Sequence, residues 1–136
     1  MGAMVLKHFS IELPDDWRLE QGEVMSVYSI NGKGAITLSA YSIIESEGYS
    51  IEEKLCIMAK NYIQKNKIQI KGSLIMQNDI NTIVYGEGKS SDDWFVKLWV
   101  VATYPRVIVS TYYCKKRIRK EVAICDNIIK SIRFID

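Results

Sequence analysis

The chain has 136 residues, of which 48% are hydrophobic and 25% charged, and its formal net charge is +2. These values are typical of a globular domain and exclude a disordered chain, a collagen-like fibre and a disulfide-rich scaffold. No run of about 18 apolar residues occurs, so a membrane span is not expected. Residues 1–4 are expected to be a cloning remnant or a disordered start, and residues 5–136 a single α+β domain.

Three strands are predicted in the first third of the chain. Apolar and polar residues alternate over residues 7–13 and again over residues 24–30, which favours half-buried strands. Trp17 follows a proline-containing turn and is expected to plug an edge of the core. Asn31-Gly32-Lys33-Gly34 predicts a hairpin with a type I′ turn, because Asn-Gly readily adopts the positive φ values of that turn. The return strand is predicted to run from Ala35 to Ile44.

The pattern then changes to a helical period. Ser50 and Glu53 have the spacing of a capping box, in which each side chain accepts a hydrogen bond from the backbone N–H of the other residue. A helix is therefore predicted over residues 50–66. Its apolar stripe repeats every three or four residues and comprises Ile51, Leu55, Met58, Ala59, Tyr62 and Ile63.

Four more strands and a second helix are predicted in the rest of the chain. The strands cover approximately residues 68–77, 80–87, 93–103 and 107–114. A bulge is expected at Gly72. The segment from Trp94 to Thr103 is nearly all apolar apart from Lys97, which favours a central strand covered on both faces. The helix is predicted over residues 116–132, with Arg133-Phe134-Ile135 as a short extension.

The element order is thus β-β-β-α-β-β-β-β-α. Short turns between consecutive strands imply antiparallel pairing. Each amphipathic helix has to bury its apolar stripe, and the sheet is the one large apolar surface available. The predicted fold class is α+β, a mostly antiparallel sheet of about six or seven strands packed by two amphipathic helices.

Several segments of the chain carry a family resemblance. Ile11-Glu12-Leu13-Pro14-Asp15-Asp16-Trp17 matches a signature of strand, proline, turn and tryptophan, and Gly34-Ala35-Ile36-Thr37-Leu38-Ser39 matches a third strand. A hairpin of residues Trp94–Thr103 and Val107–Tyr113 precedes a terminal helix. These features resemble the PsbP/DcrB-like superfamily over about residues 5–135, and the chain is similar to its small bacterial members.

The resemblance implies a non-enzymatic domain that binds another protein. The superfamily includes the extrinsic protein of photosystem II, a nuclear Ran-binding factor, bacterial lipoproteins and chaperones of type VI secretion effectors. The chaperones cradle apolar effector helices on their sheet, but their binding positions do not match this chain residue by residue. The expected function is a non-catalytic protein-binding domain of the adaptor, secretion-associated chaperone or toxin-immunity type.

Few residues are suited to catalysis or metal binding. His8 is the one histidine, and at the start of the first strand it is expected to be an ordinary surface residue. Cys56, Cys114 and Cys125 form no C-x-x-C motif, so buried free thiols and a reducing cytoplasm are expected. No catalytic residue, metal or cofactor is predicted. A periplasmic location stays open if a signal segment has been removed.

Neighbouring carboxylates and glycines are interpreted as turn residues. Asp15-Asp16 and Asp92-Asp93 are sequential pairs, whereas paired catalytic carboxylates face each other across a cleft. Gly32-Lys33-Gly34 and Gly86-Glu87-Gly88 lack a phosphate-binding fingerprint and are interpreted as hairpin glycines.

Charge is distributed unevenly. Lys115-Lys116-Arg117-Ile118-Arg119-Lys120 is predicted to begin the last helix, where the helix dipole disfavours cations. The run is a candidate contact for an acidic partner or, as an alternative, for nucleic acid, while a solvated helix face is the third interpretation. Residues 1–53 carry a net charge of −6, from nine acids and three bases, and residues 54–136 carry +8, from fifteen bases and seven acids. This asymmetry of charge would either steer a charged partner or attract the two halves of the chain to each other within the fold.

Aromatic residues in strands are the second candidate contact. On an uncovered sheet face they would form a patch that anchors a partner, and under the helices they would be core. The predicted partner-binding residues are Lys115, Lys116, Arg117, Arg119, Lys120, Tyr28, Tyr41, Trp94, Trp99 and Tyr112. Formation of a homodimer is also compatible with the sequence. The other alternative is a small-ligand-binding or enzymatic domain with a cleft between helix and sheet.

Overall fold

The computed structural model describes residues 2–43 and 48–135. Within these residues the chain forms eleven strands and two helices. The strands are β1 (Gly2–Val5), β2 (Phe9–Leu13), β3 (Trp17–Glu20), β4 (Met25–Ser29), β5 (Ala35–Ser42), β6 (Gln69–Ile70), β7 (Ile75–Asn78), β8 (Thr82–Lys89), β9 (Phe95–Thr103), β10 (Arg106–Cys114) and β11 (Arg133–Phe134). The helices are α1 (Ile51–Lys65) and α2 (Arg119–Lys130).

The strands form two antiparallel sheets. The large sheet has eight strands in the order β3-β4-β5-β10-β9-β8-β6, with β7 also paired to β8. The small sheet has the order β1-β2-β11. The predicted α+β class with two helices is therefore confirmed. The strands are divided differently from the prediction, because the chain also folds a separate small sheet from its two ends.

Both faces of the central strand β9 are buried. Phe95, Trp99 and Val101 lie in the core that α2 and the small sheet cover. Leu98 and Val100 lie in the second core, beneath α1. Side chains alternate between the faces of a strand, so one apolar segment serves two helices. The predicted central strand is confirmed.

Helix α1 begins as its sequence predicts. The Ser50 hydroxyl accepts a hydrogen bond from the Glu53 N–H at 3.1 Å, and the Glu53 carboxylate accepts one from the Ser50 N–H at 3.4 Å. Leu55 and Ala59, from the predicted stripe, are buried against the large sheet. Local capping and the apolar stripe together explain why this segment is helical.

The turn between β4 and β5 differs from the prediction. The two strands pair as a hairpin, but neither Asn31 nor Gly32 has a positive φ, so the turn is not type I′. The glycines instead allow a close approach. A Cβ on Gly32 would overlap the Glu121 carboxylate, and a Cβ on Gly34 would lie 2.6 Å from ring atoms of Tyr112.

Other glycine predictions are also corrected. Gly72 has a φ of +78° and separates β6 from β7 rather than forming a bulge in one strand. Gly86-Glu87-Gly88 lies inside β8 and not in a hairpin turn. Gly88 passes so close to the Gln69 backbone that a Cβ would overlap it. The predicted end of the return strand, Ile44, lies outside the described residues.

The N-terminal region contains two strands that were not predicted. Residues 2–5 form β1, which is exposed and pairs with β2, and their origin in cloning stays a prediction. Trp17 begins β3 at an edge of the large sheet and is buried, as expected for an edge plug. The predicted C-terminal extension is present as β11, which pairs with β2.

Candidate protein-binding surface

Most of the basic run lies before the last helix. Residues 115–118 connect β10 to α2, and Ile118 is the N-cap residue without a side-chain cap. Arg119 and Lys120 are the cations of the run that enter the first turn, next to Glu121. The helix therefore begins at Arg119, three residues after the approximate start that the sequence predicts. In a loop, the first three cations escape the unfavourable helix dipole and extend over neighbouring strands.

A groove of about 440 Å³ lies beside this loop. We call it the Trp94 groove, and its lining residues are Lys33, Trp94, Cys114, Lys115, Lys116 and Ile118. The Trp94 side chain is 38% exposed. The three lysines form no ion pair with any described residue. The groove therefore combines an accessible indole ring with three uncompensated positive charges.

Lys33 is brought to the groove by a buried carboxylate. Glu121 accepts hydrogen bonds from the backbone N–H groups of Lys33, at 3.2 and 3.3 Å, and of Gly34, at 3.3 Å. Glu121 lies in the first turn of α2, where the helix dipole favours a negative charge. This contact ties the β4–β5 turn to α2 and fixes Lys33 near Lys115, although the two residues are far apart in the chain.

Arg117 is held differently from its lysine neighbours. Its Nε donates to one oxygen of Glu87 at 2.8 Å and its Nη2 to the other at 3.1 Å, and the guanidinium lies 5.7 Å from the centre of the Phe95 ring. The hydrogen bond from Arg117 lowers the pKa of Glu87, as does the charge of Lys97, while burial opposes the shift. Arg117 is therefore a structural cation that supports the loop, and its charge is compensated.

A buried cation stands behind this pair. The Lys97 side chain is 6% exposed, and its Nζ lies 2.8 Å from Asp126 Oδ1 and 3.5 Å from Glu87 Oε2. The Trp99 Nε1–H donates to Asp126 Oδ1 at 3.0 Å. Lys97 also lies 5.0 Å from the centre of the Tyr85 ring. This network connects β8 and β9 to α2 and holds the loop that leads into the Trp94 groove.

Acidification is expected to weaken this network through Glu87. Its pKa is lowered in the folded state, so its stabilising effect is present above the unfolded value of 4.5 and is lost as pH falls through the folded value. Glu87→Gln should lower the free energy of unfolding clearly at about pH 7 and much less at about pH 3, measured by chemical denaturation. The exposed Glu23→Gln serves as the control. Equal effects of Glu87→Gln at both pH values would contradict this assignment.

Two of the predicted aromatic contacts are core residues. Trp99 and Tyr112 are buried in the core beneath α2, so neither contributes accessible surface, which corrects the predicted set. Tyr41 is exposed, and its register partner Val107 packs against α1. Tyr28 points to the same face, is half-buried and donates its hydroxyl to Glu20 at 2.6 Å. Neither tyrosine lines the Trp94 groove.

Titratable side chains do not gather into a metal site in the described ranges. Within residues 2–43 and 48–135, no three His, Cys, Asp or Glu side chains converge as metal ligands do. Cys114 and Cys125 are buried, and burial raises the pKa of the Cys125 thiol, whereas Cys56 is half-buried. Neither described helix has the length and apolar character needed to cross a membrane.

Solved structures share this architecture. The solution structure of cyanobacterial PsbP (CyanoP) from Synechocystis sp. PCC 6803 matches with a TM-score of 0.63 and 9% identity, over 93% of this chain and 86% of CyanoP. The chain has a PsbP-like fold. A crystal structure from Bacteroides thetaiotaomicron VPI-5482 matches with a TM-score of 0.60 and 16% identity over 94% of this chain, which spans 45% of that protein's length. No protein-family model and no curated protein sequence matches.

Within the PsbP-like fold, the Trp94 groove lies where three segments meet. These are the β4–β5 turn, the residues before β9 and the connection from β10 to α2. Lys115, Lys116 and Trp94 of the predicted set meet there, while Arg119 and Lys120 are exposed beyond it. Lys33 was missed, because a lysine between two glycines carries only a turn signal in the sequence.

Proposed function

We propose that this chain is a non-catalytic protein-binding domain whose Trp94 groove binds an acidic segment of a partner protein. The observation that carries the proposal is the exposed Trp94 ring beside Lys33, Lys115 and Lys116, which form no ion pair with another described residue. Tryptophan is a frequent anchor in protein interfaces, because its large ring gains much from desolvation. The surrounding positive charge favours carboxylates on the partner and speeds their association.

The rest of the structure supports a scaffold role for this surface. The groove residues stand on a loop and turn that are fixed by Glu121 from α2 and by the Arg117–Glu87 pair. A preorganised surface loses little conformational entropy when a partner binds. In this proposal residues 5–136 act as one domain in a bacterial cytoplasm, where free cysteines such as Cys114 stay reduced. An adaptor, a secretion-associated chaperone and a toxin-immunity protein would each use such a surface.

The test measures the binding of fluorescent peptides in which glutamates flank a single leucine or phenylalanine. The double variant Lys115→Glu/Lys116→Glu should bind about tenfold or more weakly, because it replaces attraction by repulsion. Trp94→Ala should also weaken binding, through loss of the apolar anchor. The control, Lys60→Glu/Lys65→Glu, makes the same charge change at exposed positions of α1 and should bind nearly as the parent does.

Two results would overturn the proposal. One is equal binding of peptides in which glutamine replaces every glutamate. The other is an equal loss of affinity in the Lys60/Lys65 control, which would mean that net charge and not the groove is recognised. A single-stranded oligonucleotide is tested in parallel, because lysines beside an exposed tryptophan also suit base stacking. Tighter binding of the oligonucleotide than of every acidic peptide would replace the protein partner by nucleic acid.

A further inference from the structure

A second cleft lies at the other end of β10, where the two sheets meet. Its volume is about 210 Å³. We call it the Arg106 cleft, and its walls include His8, Phe9, Tyr41, Arg106, Ile108 and Phe134. Phe9 and Phe134 belong to the small sheet, and His8 directly precedes its strand β2. The other lining residues belong to β5 and β10 of the large sheet. The cleft shares no lining residue with the Trp94 groove.

Arg106 lines this cleft, and one hydrogen-bond donor of its guanidinium is unsatisfied. Its Nε is buried and has no hydrogen-bond partner among the described residues. Its guanidinium also forms no ion pair with residues 2–43 or 48–135. A buried donor without an acceptor is unfavourable, and buried polar groups are nearly always paired in native proteins. Because the guanidinium charge also has no ion-pair partner among the described residues, the cleft favours a ligand that carries negative charge.

His8 adds a second group that can hydrogen-bond to an anion. Burial, followed by the charges of Arg106 and Lys7, lowers the pKa of His8. Burial is the largest cause of this pKa shift, and the charges of Arg106 and Lys7 add to it. No acidic side chain of the described residues lines the cleft. An anion placed between His8 and Arg106 would relieve their mutual repulsion, and the pKa of His8 would then rise.

We propose that the Arg106 cleft binds a carboxylate carried on a short apolar group. A guanidinium can donate two parallel hydrogen bonds to one carboxylate, which sets both the position and the orientation of the ligand. The half-buried Phe134 and the exposed Tyr41 offer an aromatic wall to the attached hydrocarbon. The volume lies below the range of about 300–1,000 Å³ found for drug-sized ligands, so the group is limited to a few carbon atoms.

Two sources present this chemistry. One is a free short-chain carboxylic acid, and the other is the C-terminal carboxylate of a polypeptide that ends in an apolar residue. Both place one charged oxygen pair beside Arg106 and a small hydrocarbon group against the aromatic wall. The inference does not depend on the protein-binding role of the Trp94 groove, because it rests on different residues.

The one histidine of the chain makes the test direct. Its imidazole gives a single set of NMR signals, so changes at His8 need no assignment among several histidines. Butyrate and butyramide are the free probes, and Gly-Gly-Leu with a free or an amidated C-terminus is the peptide pair. A carboxylate probe should shift the His8 signals saturably near neutral pH and raise the His8 pKa. The amide partner of each pair should do neither.

Variants assign the effect to Arg106. Arg106→Gln should weaken carboxylate binding about tenfold or more, whereas Arg106→Lys keeps the charge without the planar fork and should weaken it less. The exposed Arg18→Gln removes an arginine charge elsewhere and should leave binding unchanged. Amide and backbone NMR signals show whether each variant is folded. If Arg106→Gln does not fold, Arg106→Lys tests the proposal in its place.

The arms distinguish the two sources. Tighter binding of butyrate than of the free peptide indicates a small carboxylic acid, and the reverse order indicates a polypeptide C-terminus. The proposal is overturned if the carboxylate and amide probes shift the His8 NMR signals equally. It is also overturned if neither butyrate nor the free peptide shifts these signals up to its solubility limit. A third contrary result is that Arg106→Lys, like the control Arg18→Gln, binds carboxylate as the parent protein does.

Discussion

Asp126→Ala is expected to lower the free energy of unfolding by about 3 kcal/mol, near the lower limit for breaking a buried ion pair. The Lys97 side chain is 6% exposed and the Asp126 side chain is 30% exposed. Most of the lost stability therefore comes from leaving the buried Lys97 ammonium without this partner. Without Asp126, Glu87, at 3.5 Å, is the one charged partner that the Lys97 ammonium keeps among the described residues. The Trp99 Nε1–H also loses its acceptor. The partial exposure of Asp126 is the reason for placing the effect at the lower limit.

The matched variant Lys97→Met should cost less than Asp126→Ala. Methionine fills much of the space between Tyr85 and Trp99, and no buried charge is left unpaired. Both carboxylates keep a partner, because Asp126 still accepts from Trp99 and Glu87 still pairs with Arg117. This order is expected because a buried ion pair is costly to break on one side but often replaceable by apolar packing.

Urea denaturation of the variants provides the measurement. The surface control is Lys89→Ala, which removes an ion pair with Asp93; the Lys89 and Asp93 side chains are 65% and 81% exposed. Such pairs contribute about 0–1 kcal/mol, so the control should be close to the parent protein. If Asp126→Ala costs no more than Lys89→Ala, the network around Lys97 does not stabilise the fold as described.

Gly34→Ala is expected to lower the free energy of unfolding by about 2–3 kcal/mol, the upper part of the usual range of about 1–3 kcal/mol for overpacking a core. The added Cβ would lie 2.6 Å from Cε1 and Cζ of Tyr112 and 2.6 Å from the backbone oxygen of Tyr113. The Tyr112 ring cannot move aside freely, because it is buried and packs edge-on against Phe95 with ring centres 6.1 Å apart. A shift of the turn would instead strain the hydrogen bonds to Glu121.

The control for this substitution is Gly22→Ala. A Cβ there meets only the Val24 backbone oxygen, at 3.7 Å, which is ordinary contact. Thermal denaturation should therefore show a clear loss of stability for Gly34→Ala and a change within about 0.5 kcal/mol for Gly22→Ala. Because the same turn carries Lys33, Gly34→Ala should also weaken binding of an acidic peptide at the Trp94 groove. Equal thermal stability of the two variants would contradict the close approach at Gly34.

Local spacing was sufficient to predict both helices and most of the strands. The Ser50–Glu53 capping box acts within one helical turn, and the alternation in residues 7–13 reflects a neighbour-to-neighbour geometry. The apolar segment around Trp99 was recognised as central because both of its faces needed cover. Each of these features depends on residues that are close in the chain.

Contacts between distant segments decided the rest. Alternation separates two faces of a strand but does not show which face a helix covers, so Trp99 and Tyr112 were expected at a binding surface and lie in the core. The turn glycines are required because Glu121 and Tyr112, from a distant part of the chain, pack too close to the turn for a Cβ atom.

Both candidate sites are formed by contacts between segments that are distant in the chain. Lys33 reaches the Trp94 groove through Glu121, and His8 meets Arg106 because the small sheet packs beside the end of β10. The single histidine, an ordinary surface residue by sequence, thus lines a cleft with a buried arginine nitrogen. The physical reason is that periodicity records short-range backbone geometry, whereas a site depends on long-range packing that joins segments with no local signal in common.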